Sequence, residues 1–332
     1  MLVLLNHFNE KTLGFGVKFP WSFFFNGYVG VNIFFVISGY LITVLLMREN
    51  ALTHTINLKK FYIRRTLRIF PAYYFLLLFY FILQLCHVLY FPPVSWLTSL
   101  TYTKYFHRTE WETDHIWSLS VEEHFYLIWP LIFKFSKKNK NKFLFFVIAI
   151  VPVFRVLHHV YNIEWMDALT LFYRVDAIAF GCLLALHEEK VKLFVEKFIQ
   201  KSKAFFFLPL VVIMVLFAYA GQTYPWPVFN TLVVAFGSKT HGTVANLAIV
   251  YLLVISLYYN TAWFKFLNLP FINFIGKISY GLYLWQQIFF SFHLKSFSNF
   301  PLNICCIIVM ALFSYYVIEQ PILKIKRRYE IR

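Results

Sequence analysis

Tyr28-Val29-Gly30-Val31-Asn32-Ile33-Phe34-Phe35-Val36-Ile37-Ser38-Gly39-Tyr40-Leu41-Ile42-Thr43-Val44-Leu45-Leu46-Met47 runs for twenty residues without a charge. A membrane span needs about 20 mainly apolar residues, so this stretch reads as one. Comparable runs recur near 69–89, 118–135, 143–158, 170–187, 204–220, 243–260, 279–297 and 301–322. Met1–Phe8 reads as the tail of one more. The expected fold is all-α: a polytopic integral membrane protein of about ten transmembrane helices, the first only partial, forming a single transmembrane domain over residues 1–332. Composition agrees. The 332 residues are 60% hydrophobic and only 14% charged, against about a quarter charged in an average soluble domain. That balance excludes an ordinary soluble enzyme and a disordered chain. The 22% aromatic content, with Trp and Tyr often near run ends, suits interfacial belts.

The net charge is +16, from 31 Lys and Arg against 15 Asp and Glu. Loops 48–68, 136–142, 188–203, 261–277 and 323–332 hold 22 of the basic residues, and the opposite set of connections holds 6. The other three, Lys134, Arg155 and Arg174, fall within spans. Basic residues collect in cytoplasmic loops, so the first set is expected inside, together with the C-terminus. The location implied is the cytoplasmic (inner) cell membrane. The partner implied is the lipid bilayer, and no nucleic acid is needed to account for the charge. Cys86, Cys182, Cys305 and Cys306 all lie in apolar runs without metal-ligand spacing; they read as packing residues, and no metal is expected.

Ionisable groups inside a span cost roughly 2.5–3.5 kcal/mol at its centre, so they mark protein interiors or wet cavities. His7 stands at the outer end of the first run. An imidazole titrates near neutral pH and suits a general base; read alone it is also an ordinary interfacial residue. Gly30 and Gly39 permit close helix approach, and Ser38 can bond across helices. Lys59-Lys60-Phe61-Tyr62-Ile63-Arg64-Arg65-Thr66-Leu67-Arg68 puts five cations in ten residues at a span mouth. Arg65 and Arg68, three apart, share a helix face, and two guanidinium forks suit a phosphate-bearing ligand; anchoring to anionic lipid is the plainer alternative. Trp117-Ser118-Leu119-Ser120-Val121-Glu122-Glu123-His124 opens a run with two carboxylates and an imidazole, more than a helix cap needs. Arg174 and Asp176 share one span and pair with each other or with other helices. Glu319 precedes Pro321 near the end of the last run.

In order along the chain, these pieces resemble the acyltransferase-3 family of multi-pass membrane acyltransferases, which act largely on bacterial surface glycans, in a copy shortened at its N-terminus. The matching pieces are His7 and Gly30-Val31-Asn32-Ile33-Phe34-Phe35-Val36-Ile37-Ser38-Gly39, then Arg65-Thr66-Leu67-Arg68-Ile69-Phe70-Pro71 and Trp117-Ser118-Leu119-Ser120-Val121-Glu122-Glu123. Arg174-Val175-Asp176 with Gly181, Ser279-Tyr280-Gly281-Leu282-Tyr283-Leu284-Trp285 and Glu319-Gln320-Pro321 complete the set. The resemblance implies acyl-coenzyme A, acetyl-coenzyme A by default, as cytoplasmic donor. It implies a hydroxyl of an exported or lipid-linked sugar as acceptor. It makes His7 catalytic with Glu122 and Glu123, and gives Arg65 and Arg68, with Lys60 beside them, to the coenzyme A phosphates. Ser38, Trp117, Arg174, Asp176, Ser279, Tyr283, Gln286 and Glu319 are the further candidate site residues.

The chain departs from the family pattern in three places. The basic residue eleven positions before the family's histidine would fall upstream of Met1, so the chain or its ancestor is expected to begin earlier. Gln286 stands where the family often has a histidine, and an amide cannot take a proton. No esterase-like domain follows, which implies the stand-alone membrane form. In the expected mechanism His7 takes the acceptor proton, Glu122 orients the imidazole and the arginines hold the donor. The oxyanion donor is open among Ser38, Tyr283 and Gln286, and the acceptor surface is expected from loops 9–27, 90–117 and 221–242. The rival readings are a transporter or flippase of a polar solute working through Arg174, Asp176 and Glu319, and an inactive family member.

Overall fold

A computed structural model describes residues 2–12, 27–136, 139–161, 170–219, 230, 231, 233, 235, 236, 242–294 and 297–329. The helices in chain order are α1 (Leu2–Thr12), α2 (Gly27–Thr53), α3 (Leu58–Leu85), α4 (Pro93–Leu100), α5 (Trp111–Asp114), α6 (Ile116–Phe135) and α7 (Lys140–Tyr161). They continue as α8 (Thr170–Leu186), α9 (Glu188–Lys201), α10 (Leu208–Tyr219), α11 (Thr243–Tyr258), α12 (Ala262–Leu267), α13 (Pro270–Phe289) and α14 (Leu302–Lys326). Helix makes up 87% of the described residues, and there is no strand among them. Local chemistry sets the ends. The Asn57 side chain caps α3 by accepting from the Lys60 amide at 3.0 Å, Thr261 caps α12 in the same way, and Pro93 occupies the first turn of α4, where a missing N–H costs nothing.

The body of each of the nine apolar runs is helical where it is described, with turn or irregular residues at several run ends, such as 86–89 and 259–260. Among the described residues four helices are long and apolar enough to cross a membrane: α2, α3, α7 and α14. The others are shorter or carry more polar groups: α8 has 17 residues, α11 has 16 and α10 has 12. The last run holds a π-helical turn, Ser314–Glu319, a feature often found at functional sites.

The chain forms two compact units. Unit 1 comprises Met1–Gly27, Thr53–Ser120 and Pro270–Arg332; unit 2 comprises Tyr28–Leu52 and Val121–Leu269. The centre of unit 1 is α13. Its Ile278, Leu282, Leu284, Trp285 and Ile288 pack with Tyr73, Leu76 and Tyr80 of α3, Ile307 and Ala311 of α14 and Leu4 of α1. Gly281 lets α14 come close, since a Cβ there would sit 3.1 Å from the Ala311 Cα.

In unit 2, α2 and α8 meet through Gly39 and Gly181. A Cβ on Gly39 would collide with the Ile178 carbonyl oxygen, and one on Gly181 with that of Val36. Apolar side chains gain little by leaving lipid for protein, so close approach through small residues is how membrane helices associate. Gly39 was expected in that role from the sequence. Trp129 of α6 is fully buried and donates its indole N–H to Thr43 of α2 at 3.0 Å.

The segment between α3 and α6 is firmly tied. Lys104 is fully buried and donates to Ser95 Oγ at 2.7 Å and Glu110 Oε2 at 2.8 Å. Burial pulls the Lys104 pKa down, against the Glu110 charge and hydrogen bond. Burial alone would raise the Glu110 carboxyl, but hydrogen bonds from Lys104, Thr109 and Ser95 and the Lys104 charge outweigh it and hold the pKa down at about 2. Tyr73 and Tyr80 of α3 reach up to the Ser99 and Glu112 carbonyls at 2.6 and 2.7 Å.

Candidate active site

Unit 1 holds both ends of the expected chemistry along one helix. Arg65 and Arg68 lie half-buried in the first part of α3, and Lys60 nearby is exposed. Glu319 is buried near the end of the last run, with its Oε1 reached by Ser314 Oγ at 3.5 Å and Arg68 acting on it electrostatically. Tyr280 of α13 donates to the Ile69 carbonyl at 2.9 Å, which fixes α13 beside the turn carrying Arg68. Ten residues further, Phe290 meets Phe8 of α1 at 6.3 Å between ring centroids. At 1.5 Å per helical residue the two levels are about 15 Å apart. His7, next to Phe8, stands edge-on to Trp111 of α5, at 5.3 Å and 66°.

Between those levels α13 presents Tyr283, Gln286 and Gln287. The Tyr283 hydroxyl donates to the His115 carbonyl at 2.8 Å and is 2.5 Å from Ser118 Oγ. Gln287 Oε1 accepts from the His115 amide at 3.0 Å and lies 2.6 Å from its Nδ1, while Nε2 lies 3.1 Å from the Leu284 carbonyl. Burial pushes the His115 pKa down to about 4, against the Gln287 hydrogen bond, so the ring is neutral. Gln286 is fully buried, and neither its amide oxygen nor its nitrogen has a hydrogen-bond partner among the described residues. A buried amide without partners costs about 1–3 kcal/mol, so it stands out against the satisfied groups beside it.

Past the end of α13, buried Glu112 accepts from Ser291 Oγ and lies 2.9 Å from His293 Nδ1. Ser291 Oγ also accepts from the His293 amide at 3.2 Å, capping the short turn that follows. His115, Glu112, Ser291 and His293 were not read from the sequence. Glu112 and Ser291 are far apart along the chain, so no local pattern joins them; adjacent glutamines inside the apolar run of α13 were the available signal.

Unit 2 gathers a second group. Buried Glu122 accepts from Ser38 and, at 2.5 Å, from Tyr126; Tyr126 is also 2.8 Å from Ser38 Oγ. Glu123 is half-buried, with Oε1 shielded from solvent. Asp176 pairs with Arg155 of α7, whose NH2 lies 2.9 and 2.8 Å from the two carboxylate oxygens. Arg174, two positions earlier, lies with its guanidinium 4.7 Å over the Tyr28 ring. Residues two apart on a helix do not face each other, which is why Asp176 takes its cation from another helix. Asn32 of α2 and Asn246 of α11 are buried with neither amide atom hydrogen-bonded among the described residues. Asn246 lies one turn beyond Thr243, which donates to Asp176 at 3.3 Å.

Other candidates have local duties. Trp117 is buried under the Arg108 guanidinium at 5.1 Å. Ser279 is exposed and donates to the Gly276 carbonyl of its own helix at 2.8 Å. His7, Arg65, Arg68, Tyr283, Gln286 and Glu319 belong to unit 1, and Ser38, Glu122, Glu123, Arg174 and Asp176 to unit 2. Of the loops expected to form the acceptor surface, 90–117 is described, whereas residues 13–26, 220–229 and 237–241 lie outside the described residues.

The model of the acyltransferase-3 family, described as an acyltransferase domain, matches residues 1–319. The chain belongs to that family, whose members move groups other than aminoacyl groups. It is 28% identical to the O-acetyltransferase OatA of Staphylococcus aureus strain NCTC 8325, over 97% of this chain and 55% of that protein. A putative O-acetyltransferase of S. aureus strain COL is 29% identical over the same shares. The chain thus spans about half the length of the curated relatives it matches. No solved structure matches.

Proposed function

We propose that the chain is a multi-pass membrane O-acyltransferase that takes an acyl group, acetyl in the simplest case, from cytoplasmic acyl-coenzyme A. It gives that group to a hydroxyl of an exported or lipid-linked glycan. The observation that carries this reading is α13, whose middle, at Tyr280, touches the Arg68 turn of α3 and whose C-terminal end leads into Phe290, packed on the α1 segment holding His7. Arg65 and Arg68 hold the donor's phosphates, and the acyl thioester reaches along α13 toward His7. The acceptor oxygen attacks the carbonyl carbon as His7 takes its proton. The carbon–sulfur bond breaks, and the imidazolium returns the proton to the departing thiolate.

Three side chains were open as oxyanion donor. Ser38 donates to Glu122 and Tyr283 donates to the His115 carbonyl, which leaves the Gln286 amide nitrogen. We assign it that role. Glu122 and Glu123 are the further acidic groups of this reading. The transporter reading gains nothing from Asp176, which is locked to Arg155 and Thr243.

The test uses membranes containing the protein and radiolabelled acetyl-coenzyme A. His7→Ala is expected to lower label transfer to membrane glycans by roughly 10²–10⁴-fold while the labelled donor still binds. Arg65→Ala with Arg68→Ala is expected to abolish that binding. Near-normal transfer by His7→Ala removes the histidine from the mechanism.

A further inference from the structure

We propose that α9 is an interfacial helix whose outer face holds an anionic phospholipid headgroup, in a groove lined by Phe194, Lys197, Phe198, Gln200 and Lys201. This goes beyond acyl transfer and does not depend on it. The helix Glu188–Lys201 has an inward side fixed by Val195, which is buried, and by Glu188, whose carboxylate accepts from the Tyr40 hydroxyl at 2.7 Å and from that of Tyr258. The opposite side carries exposed Lys190, Leu193, Phe194, Lys197, Gln200 and Lys201. Those positions follow the three-and-four spacing of a single helix face. Leu193 is 56% exposed and Phe194 58%, a poor arrangement in water beside three lysines and a good one at a bilayer surface. There the rings and lysine stems enter the acyl boundary while the ammonium groups meet phosphate.

The acids of α9 are engaged elsewhere. Glu188 is turned inward, Glu189 lies 3.9 Å from Lys192, and Glu196 accepts from Gln200 at 3.4 Å. Among the described residues no carboxylate lies within ion-pair distance of Lys190, Lys197 or Lys201. The groove itself measures about 540 Å³. Its aromatic wall is continuous: Phe194 and Phe198 meet edge-on at 4.9 Å, and Phe198 meets Phe205 at 5.4 Å. Lys201 Nζ stands 6.0 Å from the Phe198 ring centroid. The turn that follows, Lys203–Phe207, extends the face with exposed Lys203 and with Phe207 at 65% exposure. An aromatic floor with two cations at one rim matches a lipid phosphate above its acyl chains, and the charge of the face selects an anionic lipid.

The experiment is native mass spectrometry of the purified full chain with phosphatidylglycerol or phosphatidylcholine. Wild type is expected to retain phosphatidylglycerol preferentially. Lys197→Gln with Lys201→Gln is expected to retain roughly 30-fold less, given the usual contribution of a surface lysine facing anionic lipid. Lys265→Gln, an exposed lysine on α12, is expected to change nothing. Raising salt on wild type alone should collapse the preference, a readout that holds even if the double variant folds poorly. Equal retention of the two lipids, an unchanged double variant, or displacement of the lipid by inorganic pyrophosphate would each overturn the proposal.

Discussion

In unit 2, Asp176 has no exposed surface, yet both its oxygens are met by Arg155, one also by Thr243 and the other by the Ala177 amide at 3.0 Å. The Arg155 guanidinium in turn donates to the Tyr173 and Ala235 carbonyls. In unit 1, Gln286 is buried as completely and its amide meets nothing among the described residues. Both are polar groups in an apolar unit, but one is closed on itself and the other is open. A closed cluster holds helices α7, α8 and α11 in place. An open amide on a core helix is kept at a cost to folding, and that cost is explained if a substrate atom completes it.

If that contrast holds, the two sites fail differently. Asp176→Ala leaves the Arg155 charge buried without its carboxylate, and losing one partner of a buried pair costs about 3–5 kcal/mol. The expected result is a sharp loss of folded protein, read as a drop in the detergent-solubilised unfolding midpoint and in membrane yield. A variant that accumulates and melts like wild type would show that the cluster is not the brace described here.

Gln286→Leu is expected to do the reverse. Removing an unpartnered buried amide should leave stability unchanged or raise it by about 1–3 kcal/mol. Loss of one oxyanion donor should lower kcat by roughly 10²–10³-fold, with donor binding retained. Turnover within a factor of two of wild type would leave the carbonyl oxygen to another group, and a lower melting point would mean that the amide has a structural partner.

The same contrast marks what could be read from the sequence. The helices were legible because a run such as Tyr28–Met47 has one plausible secondary structure in lipid. The small-residue contact at Gly39 and the cations at Arg65 and Arg68 were legible because their chemistry is local. The partner of Asp176 was not, since Arg155 lies on another helix and nothing in the spacing selects it. Nor could the sequence choose among Ser38, Tyr283 and Gln286. Each can donate a hydrogen bond, and only the fold shows that Ser38 donates to Glu122 and Tyr283 to His115.

Between these extremes lies His115, buried and hydrogen-bonded but titratable. Its folded pKa of about 4 lies below the ordinary 6.5, so the unfolded chain binds the proton first as pH falls. Stability is therefore full above pH 6.5 and falls between 6.5 and 4, by about 3 kcal/mol in total. Glu110, held down at about 2 from 4.5, gives a second acid window, with stability present above pH 4.5 and lost toward 2. Unfolding midpoints measured from pH 8 to 4 should fall in wild type and stay flatter in His115→Gln. Parallel curves would place the upper acid limb in another group.

The smallest effect is expected where a motif residue is neither closed into a cluster nor buried and open. Ser279 sits in the Ser279-Tyr280-Gly281 stretch that helped to identify the family, but its side chain is exposed and its hydrogen bond runs to the Gly276 carbonyl one turn back. Such a bond replaces one to water and adds little to a helix. Ser279→Ala should therefore shift stability by less than about 0.5 kcal/mol and leave acetyl transfer within a factor of two of wild type. Its neighbour Tyr280 supplies the contrast within the same motif: its hydroxyl ties α13 to Ile69 beside Arg68, so Tyr280→Phe should weaken donor binding measurably more than Ser279→Ala. Should the serine variant instead raise the KM for acetyl-coenzyme A, this face of α13 belongs to the donor path, and burial would be the wrong guide to which motif residues meet substrate.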